Sequence, residues 1–292
     1  MSLSLLCTLL GYTRQAFYGY KKSAIQEALE AELLVQEVLK HRLQQPKVGT
    51  RKLIIMMQGF AKEHQINWGR DAFFDLLREY NLLIRKRRRK TQTTFSKHWY
   101  KKYKNLVRDF KPMAPNLLWV SDITYIPIAD GSGYLSLITD AYSRKIAGFY
   151  LSKTLHAAGP GQALLMALDN CPDTENLIHH SDRGVQYCCT DYVKILDDKK
   201  IKISMTENGD PLENAIAERV NGILKGELLQ EKYDCFESAQ TGVEKSVLVY
   251  NSLRLHSSCG MITPNEAHQK EGLLKKHWKN YYKKKEVMME AT

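Results

Sequence analysis

The chain has 292 residues, of which 43% are hydrophobic, so it is long enough for one or two domains with a sizeable core. Lys and Arg outnumber Asp and Glu by 43 to 32, which predicts a polyanionic partner such as nucleic acid; a merely basic protein of the ribosomal type has the same balance. No apolar run reaches the roughly 18 residues of a membrane span, and the apolar first segment lacks the basic start of a signal peptide.

The cysteines do not form a recognisable framework. No CxxC pair is present, and no Cys/His set has zinc-finger spacing. We therefore expect reduced, mostly buried thiols in a cytoplasmic protein. The six are Cys7, Cys171, Cys188, Cys189, Cys235 and Cys259.

Residues 1–45 are predicted to be helical. An apolar stretch ends at Gly11, and Thr13 is placed to cap a second helix that runs to Tyr20. This arrangement resembles a helix-turn-helix, although its spacing fits a plain helical hairpin equally well. An amphipathic helix over residues 23–45 follows.

Residues 46–112 combine a second helical pair with a basic linker. Asn81 suits the left-handed residue that ends a helix. The basic run after it fits a solvated linker, but it leads into a segment where Trp99 and Tyr100 stand among lysines. Aromatic and cationic side chains together favour contact with phosphates and bases, so we interpret this stretch as a DNA-tracking segment. Its candidate DNA contacts are Arg85, Lys86, Arg87, Arg88, Arg89, Lys90, Lys101 and Lys102.

From residue 117 the pattern becomes that of strands and helices in succession. The order β-β-β-α-β-α-β-α is typical of a mixed α/β sheet covered by helices. Strands are predicted at 119–128, 134–139, 145–151, 176–180 and 201–205. Helices are predicted at 161–170, 191–199, from Pro211 to about 229, and at 238–252.

Three acids in this part form a candidate metal site. Asp122 lies within a strand, Asp182 follows a strand, and Glu218 lies on a helix with 35 residues between it and Asp182. If the two strands pair, the aspartates become neighbours about 4.8 Å apart, and the helix can bring Glu218 to them. Carboxylates about 4 Å apart repel by roughly 4 kcal/mol per pair, so such a cluster needs cations. Oxygen ligands favour Mg²⁺ or Mn²⁺, and two ions can promote an in-line phosphoryl displacement.

The helix of Glu218 supports this interpretation. Asn214, Glu218, Asn221 and Lys225 recur on one face, so a metal-binding acid and a phosphate-binding cation lie two turns apart. An ordinary amphipathic helix with solvated charges gives the same pattern.

Other polar residues compete for the site. We expect Asp140 to set a turn, Asp210 to cap a helix and Glu213 to interact with the helix dipole. His179 and His180 are predicted to be hydrogen-bonded structural groups, because Mg²⁺ sites rarely use imidazole.

Four segments in order resemble bacterial insertion-sequence transposases of the OrfB type: WVSDITYIP, HHSDRGVQY, ENAIAERVNGILKGE and YNSLRLHSSCGMITPNEAH. The resemblance covers nearly the whole chain. It implies a retroviral-integrase-like core with an RNase H-like fold over residues 113–232, preceded by helical DNA-binding elements and followed by a helical region and basic tail over 233–292.

The resemblance also implies roles for individual residues. Asp122, Asp182 and Glu218 match the catalytic acids, with two Mg²⁺ ions for which Mn²⁺ can substitute. Lys225 matches a basic residue that contacts transposon-end DNA. The family's Y-N-x-x-R-x-H stretch, which has a structural or DNA-adjacent role, is matched by Tyr250, Asn251, Arg254 and His256. We expect Arg254 and Asn221 to contact DNA.

The implied activity is cleavage of element ends and strand transfer into target DNA by a homo-oligomer. A partner from an upstream reading frame, or self-sufficient use of the N-terminal helices, both fit the sequence. A nuclease without strand transfer and a non-catalytic repressor remain the alternatives.

Overall fold

The computed structural model describes residues 2–84, 99–171, 173–207 and 213–277. The chain divides into two compact units, Met1–Lys86 and Arg87–Thr292. Within the described ranges, no helix combines the length and apolar character that crossing a bilayer requires.

The first unit is entirely helical in its described part. Thr13 caps the second helix by accepting a hydrogen bond from the backbone of Ala16, and Asn81 adopts a positive φ angle of 55°, both as predicted. Gly11, which was predicted to end the first helix, has a φ angle of 71°. The helices are α1 Leu3–Leu9, α2 Arg14–Gln44, α3 Thr50–Met56, α4 Gln58–Glu63 and α5 Arg70–Glu79.

The predicted end of a helix at Tyr20 is wrong, because α2 continues without a break for 31 residues. No proline interrupts it, and Gly19 alone costs only about 1 kcal/mol in a helix interior. The expected apolar stripe is buried only in the second half of α2, where Leu34 and Val38 pack with α3 and α5. In the first half, Ile25 and Leu29 are exposed.

The second unit contains a five-stranded sheet with strand order β3-β2-β1-β4-β5. The first three strands form an antiparallel meander, whereas β4 pairs in parallel with β1 and β5 pairs in parallel with β4. This confirms the mixed α/β sheet. The strands are β1 Leu118–Ile128, β2 Gly131–Asp140, β3 Ile146–Ser152, β4 Ile178–Ser181 and β5 Lys202–Met205.

Helices cover both faces of the sheet. Side chains alternate along β1, so Trp119 packs with α6 and α8 on one face while Ile126 packs with α9 and α10 on the other. Gly148 lets α6 lie close to β3, since a side chain there would collide with the backbone of Ala163. The helices are α6 Ala158–Asp169, α7 Val185–Cys188, α8 Thr190–Asp198, α9 Ala215–Ile223, α10 Phe236–Ser252 and α11 Pro264–Ala267.

One predicted helix has a different form. The helix expected from Pro211 to about 229 is α-helical over Ala215–Ile223 and then becomes a π-helical turn, Leu224–Leu228. Its predicted start at Pro211 lies outside the described residues. The wider turn changes the direction of the side chains after Ile223, a feature that a 3.6-residue period does not anticipate.

Candidate active site

The pairing of β1 with β4 brings the two aspartates level. Val120 lies opposite His180 in this parallel ladder, and Asp122 and Asp182 each lie two residues further along their strands. Adjacent strands lie about 4.8 Å apart, so the two carboxylates share the carboxyl edge of the sheet. Asp182 directly follows the end of β4, as the sequence predicted.

Hydrogen bonds hold both carboxylates in place. One oxygen of Asp122 accepts from the backbone N–H of Ile123 at 2.9 Å, and the other accepts from the side-chain amide of Asn221 at 2.7 Å. Asp182 accepts from the backbone N–H of Gly184 at 2.9 Å. Since each carboxylate oxygen has more than one lone pair, these contacts orient the acids and leave acceptor capacity for a cation.

Side chains on one face of α9 fix this helix against β1. Asn214 donates to the backbone carbonyl of Ser121 at 2.9 Å, and Asn221 reaches Asp122. Glu218 lies between these two anchors on the same helix face and is exposed. Further along, the ammonium group of Lys225 donates to the hydroxyl of Thr124 at 3.1 Å. The predicted polar face of the helix therefore lies against the aspartate edge of the sheet.

The acids are electrostatically coupled. Burial, together with the charges of Asp182 and Glu218, raises the pKa of Asp122 to about 7, even though the hydrogen bonds from Asn221 and Ile123 partly offset the rise. A carboxyl group with this pKa carries an unfavourable negative charge at neutral pH, which a nearby cation would stabilise.

In the part of the chain that the structure describes, no three His, Cys, Asp or Glu side chains are already close enough to hold a metal ion. The donor chemistry nevertheless fits a hard divalent cation, because Asp122 and Asp182 supply only oxygen atoms from fixed positions.

Other candidate DNA contacts have different surroundings. Asn221 is buried against Asp122, so its amide orients an acid. Arg254 is 3% exposed, and its guanidinium forms two 2.8 Å hydrogen bonds with the carboxylate of Glu227. Lys101 lies 5.0 Å from the centre of the Tyr103 ring. The run Arg85, Lys86, Arg87, Arg88, Arg89 and Lys90 lies outside the described residues.

The Cys188 thiol is within electrostatic range of Asp182 and of two cations. Burial and Asp182 raise the pKa of this thiol to about 11, and Lys102 and Arg183 partly offset the rise. Arg183, which directly follows Asp182, also donates to the backbone carbonyl of Glu207 at 2.8 Å, a role that the sequence reasoning did not assign.

The competing polar residues have structural roles. His179 contacts the hydroxyl of Tyr192 at 2.9 Å, and His180 bonds Ser204 and the backbone carbonyl of Glu213, as predicted. Asp140 accepts from the backbone and hydroxyl of Ser143 and so sets a turn, also as predicted.

Two further expectations concern the start of α9 and the thiols. The role expected for Glu213 is wrong: its carboxylate lies before α9 and accepts from the backbone N–H of Glu207. Asp210 lies outside the described residues. The six thiols are free, and four of them are buried, as predicted.

Asp122→Asn is expected to stabilise the metal-free protein at pH 8. The pKa of Asp122 is higher in the folded chain than in the unfolded chain, so its contribution to stability is lost as pH rises from about 4 to 7. The stability that Asp122→Asn gains over the wild type should become smaller as pH falls toward 4. Thermal melting in chelator checks this, with roughly 2–4 °C expected per kcal/mol. Asp130→Asn, in an exposed turn, serves as the control; equal responses of the two variants would contradict the prediction.

Comparison with known proteins places this site in a family. A family model described as "Integrase core domain" matches residues 112–211, and a second model with that description matches residues 199–264. The chain is 32% identical over 264 residues to "Insertion element IS600 uncharacterized 31 kDa protein" of Shigella sonnei, covering 89% of this chain and 96% of that protein.

Two other relatives carry the name transposase. Identity is 32% over 197 residues to "Transposase InsF for insertion sequence IS3A" of Escherichia coli (strain K12), covering 66% of this chain and 68% of that protein. It is 33% over 166 residues to "Putative transposase for insertion sequence element IS986/IS6110" of Mycobacterium tuberculosis (strain CDC 1551 / Oshkosh), covering 54% of this chain and 60% of that protein. Among solved structures, the trimeric HTLV-2 integrase catalytic core in complex with magnesium is similar at 18% identity and a TM-score of 0.44, covering 54% of this chain and 99% of that one.

The mixed sheet and the integrase core match define an enzyme of the DDE transposase/integrase class with an RNase H-like core. More narrowly, the chain belongs to the family of insertion-sequence transposases, which confirms the resemblance in the sequence.

Proposed function

We propose that Asp122, Asp182 and Glu218 hold divalent metal against a DNA phosphodiester, cleave the 3′ ends of an insertion sequence and join them to target DNA. The observation that carries the proposal is the level placement of Asp122 and Asp182 on adjacent parallel strands, with Glu218 coupled to them. Two Mg²⁺ ions are the cofactor we propose, with Mn²⁺ as a substitute.

The chain's own residues prepare the site for this chemistry. When bound, the metal would stabilise charge on the attacking oxygen, which comes from water in cleavage or a DNA 3′ hydroxyl in joining, and on the leaving oxygen of the phosphodiester. Asn221 and the Ile123 backbone hold the Asp122 carboxylate, so its oxygens point in a fixed direction. Gly184 does the same for Asp182. The exposed side chain of Glu218 can turn toward Asp122 and Asp182 when substrate and metal arrive. The carboxyl group of Asp122 must be deprotonated to bind the metal.

Several cations are candidates for contact with a DNA strand at the acids. Arg183 directly follows Asp182, Lys102 and Asp182 both act electrostatically on the Cys188 thiol, and Lys225 donates to Thr124 on β1. We propose Lys225, Lys101, Lys102 and the run from Arg85 to Lys90 as phosphate contacts. Arg254 does not support this role, since it is buried and paired with Glu227.

Lys225→Ala is expected to weaken DNA binding several-fold without sequence preference and to lower the slope of log affinity against log salt by about 1. The reason is the loss of one cation beside the acids. Binding titrations from low to high salt check it. Lys194→Ala, an exposed lysine of α8 on the other face of the sheet, is the matched control. A slope change of the same size in both variants would remove Lys225 from the proposed path.

A joining assay tests the proposed activity against its alternatives. The full chain, with Mn²⁺ or Mg²⁺, is given a duplex that ends like a pre-cleaved element and a separate target duplex. A transposase yields joined product, a nuclease on the same fold yields only fragments, and a repressor leaves both duplexes intact. Joined product that forms equally well in chelator would overturn the metal mechanism.

Assembly and domain roles form part of the same proposal. We propose that a homo-oligomer bridges two element ends, either alone or with a partner from the upstream frame. Residues 1–45 and 46–112 would bind DNA, 113–232 would form the catalytic core, and 233–292 would complete it.

A further inference from the structure

A cavity of about 340 Å³ is lined by two residues of α9, the first of which directly follows Glu218 in the chain. Its lining is basic and hydroxylic, and no carboxylate of the described residues contributes to it. The lining residues are Arg219, Ile223, Arg254, His256, Ser257 and Ser258. The site proposed above does not use this cavity.

The position of the cavity follows from helix geometry. Arg219 directly follows Glu218, so its side chain leaves α9 about 100° around the axis from that acid. Ile223 is one turn further and lines the same cavity. The cavity is therefore lined by the residue next to Glu218 and by the residue one turn beyond it on α9.

Charges in and around the cavity favour an anion. Arg254 lies at its floor, but both oxygens of Glu227 pair with that guanidinium and neutralise it. Arg219 is exposed and supplies the positive charge at the mouth. The hydroxyls of Ser257 and Ser258 are half-buried donors beside it. A guanidinium next to hydroxyl donors is a chemistry that binds phosphate.

We propose that this cavity, which we call the Arg219 pocket, binds a backbone phosphate of DNA close to the phosphodiester on which the acids act. The inference rests on the proposed function and extends it by a specific contact. The pocket is larger than one phosphate group, so it admits the phosphate together with its adjoining sugar. Because every nucleotide carries this group, the pocket would position the strand without reading its sequence.

Salt-dependent binding of the full chain to an element-end duplex is the first test. Arg219→Ala is expected to weaken binding about three- to tenfold and to lower the salt slope by about 1. Lys245→Ala, an exposed lysine of α10 outside the pocket, is the matched control and should change neither quantity. Melting temperatures of both variants should equal the wild type, since both side chains are exposed.

Replacing single phosphates with neutral methylphosphonates locates the phosphate that the pocket contacts. Single methylphosphonates are placed in turn along the cleaved strand of the end duplex and, in a second arm, along the target duplex of the joining reaction. One position should weaken wild-type binding or joining, and the same position should have no further effect in Arg219→Ala. The arm in which this occurs identifies the strand held by the pocket. Ser257→Ala combined with Ser258→Ala should give a smaller loss at the same position.

The results separate this proposal from the proposed function. A wild-type chain that neither binds nor joins DNA overturns the proposed function and, with it, the pocket's role. A wild type that binds and joins normally, with Arg219→Ala indistinguishable from Lys245→Ala at every methylphosphonate position, overturns the pocket alone.

Discussion

Asp182→Asn and Glu218→Gln are each expected to reduce strand transfer by about a thousandfold or more while DNA affinity stays near wild type. Each change removes one negative oxygen ligand and hardly changes side-chain volume. Loss of several kcal/mol of transition-state stabilisation by the metal corresponds to a factor of this size. Joined product from a pre-cleaved end, measured with Mg²⁺ and with Mn²⁺, is the readout, and a gel-shift titration reports binding.

Neighbouring acids provide the controls for these two variants. Asp191 and Glu213 lie near the two acids in sequence. Asp191 is in the first turn of α8, and the Glu213 carboxylate accepts a hydrogen bond from the backbone of Glu207, so neither is part of the proposed metal site. Asp191→Asn should retain strand transfer, because the side chain is exposed in the first turn of a helix on the other face of the sheet. Retained transfer in Asp182→Asn or Glu218→Gln would move the active site elsewhere.

Local pattern was enough to predict much of the catalytic unit. Alternation over β1 and the apolar run of β4 indicated strands, and an acid within one strand and an acid just after the other become neighbours when those strands pair in this register. The polar face of α9 could also be predicted, because Asn214, Glu218 and Asn221 recur at helical spacing, and the two asparagines contact β1. Both features follow directly from the spacing of polar and apolar residues along the chain.

Other features depend on contacts that local pattern does not contain. Asn221 was predicted to contact DNA. Its hydrogen bond to Asp122 depends on the packing of α9 against β1, which local sequence does not show. The continuation of α2 past Tyr20 depends on the absence of a strong stop signal, which a single glycine did not provide. The π-helical turn after Ile223 similarly depends on tertiary contacts, among them the pairing of Glu227 with Arg254.

Arg254 and Glu227 form a buried link between the end of α10 and the π-helical turn. The Arg254 side chain is 4% exposed and that of Glu227 is 27% exposed, and two 2.8 Å hydrogen bonds join them. The guanidinium also lies 5.8 Å from the centre of the buried Tyr250 ring. Two residues further back, Lys225 leaves the same turn toward Thr124, so the link fixes the position of a proposed DNA contact.

Glu227→Ala is therefore expected to destabilise the protein by about 3–5 kcal/mol, because it leaves the buried Arg254 charge without a partner. The melting temperature should fall by roughly 6–20 °C, at about 2–4 °C per kcal/mol. Replacing both residues with apolar side chains, Glu227→Leu with Arg254→Met, should recover much of the loss, since no charge is then left unpaired. Arg254→Lys should also lower the melting temperature, as one ammonium cannot satisfy both carboxylate oxygens. If Arg254→Lys instead melted like wild type and lost salt-dependent DNA affinity, Arg254 would contact DNA, and the link would not hold the turn.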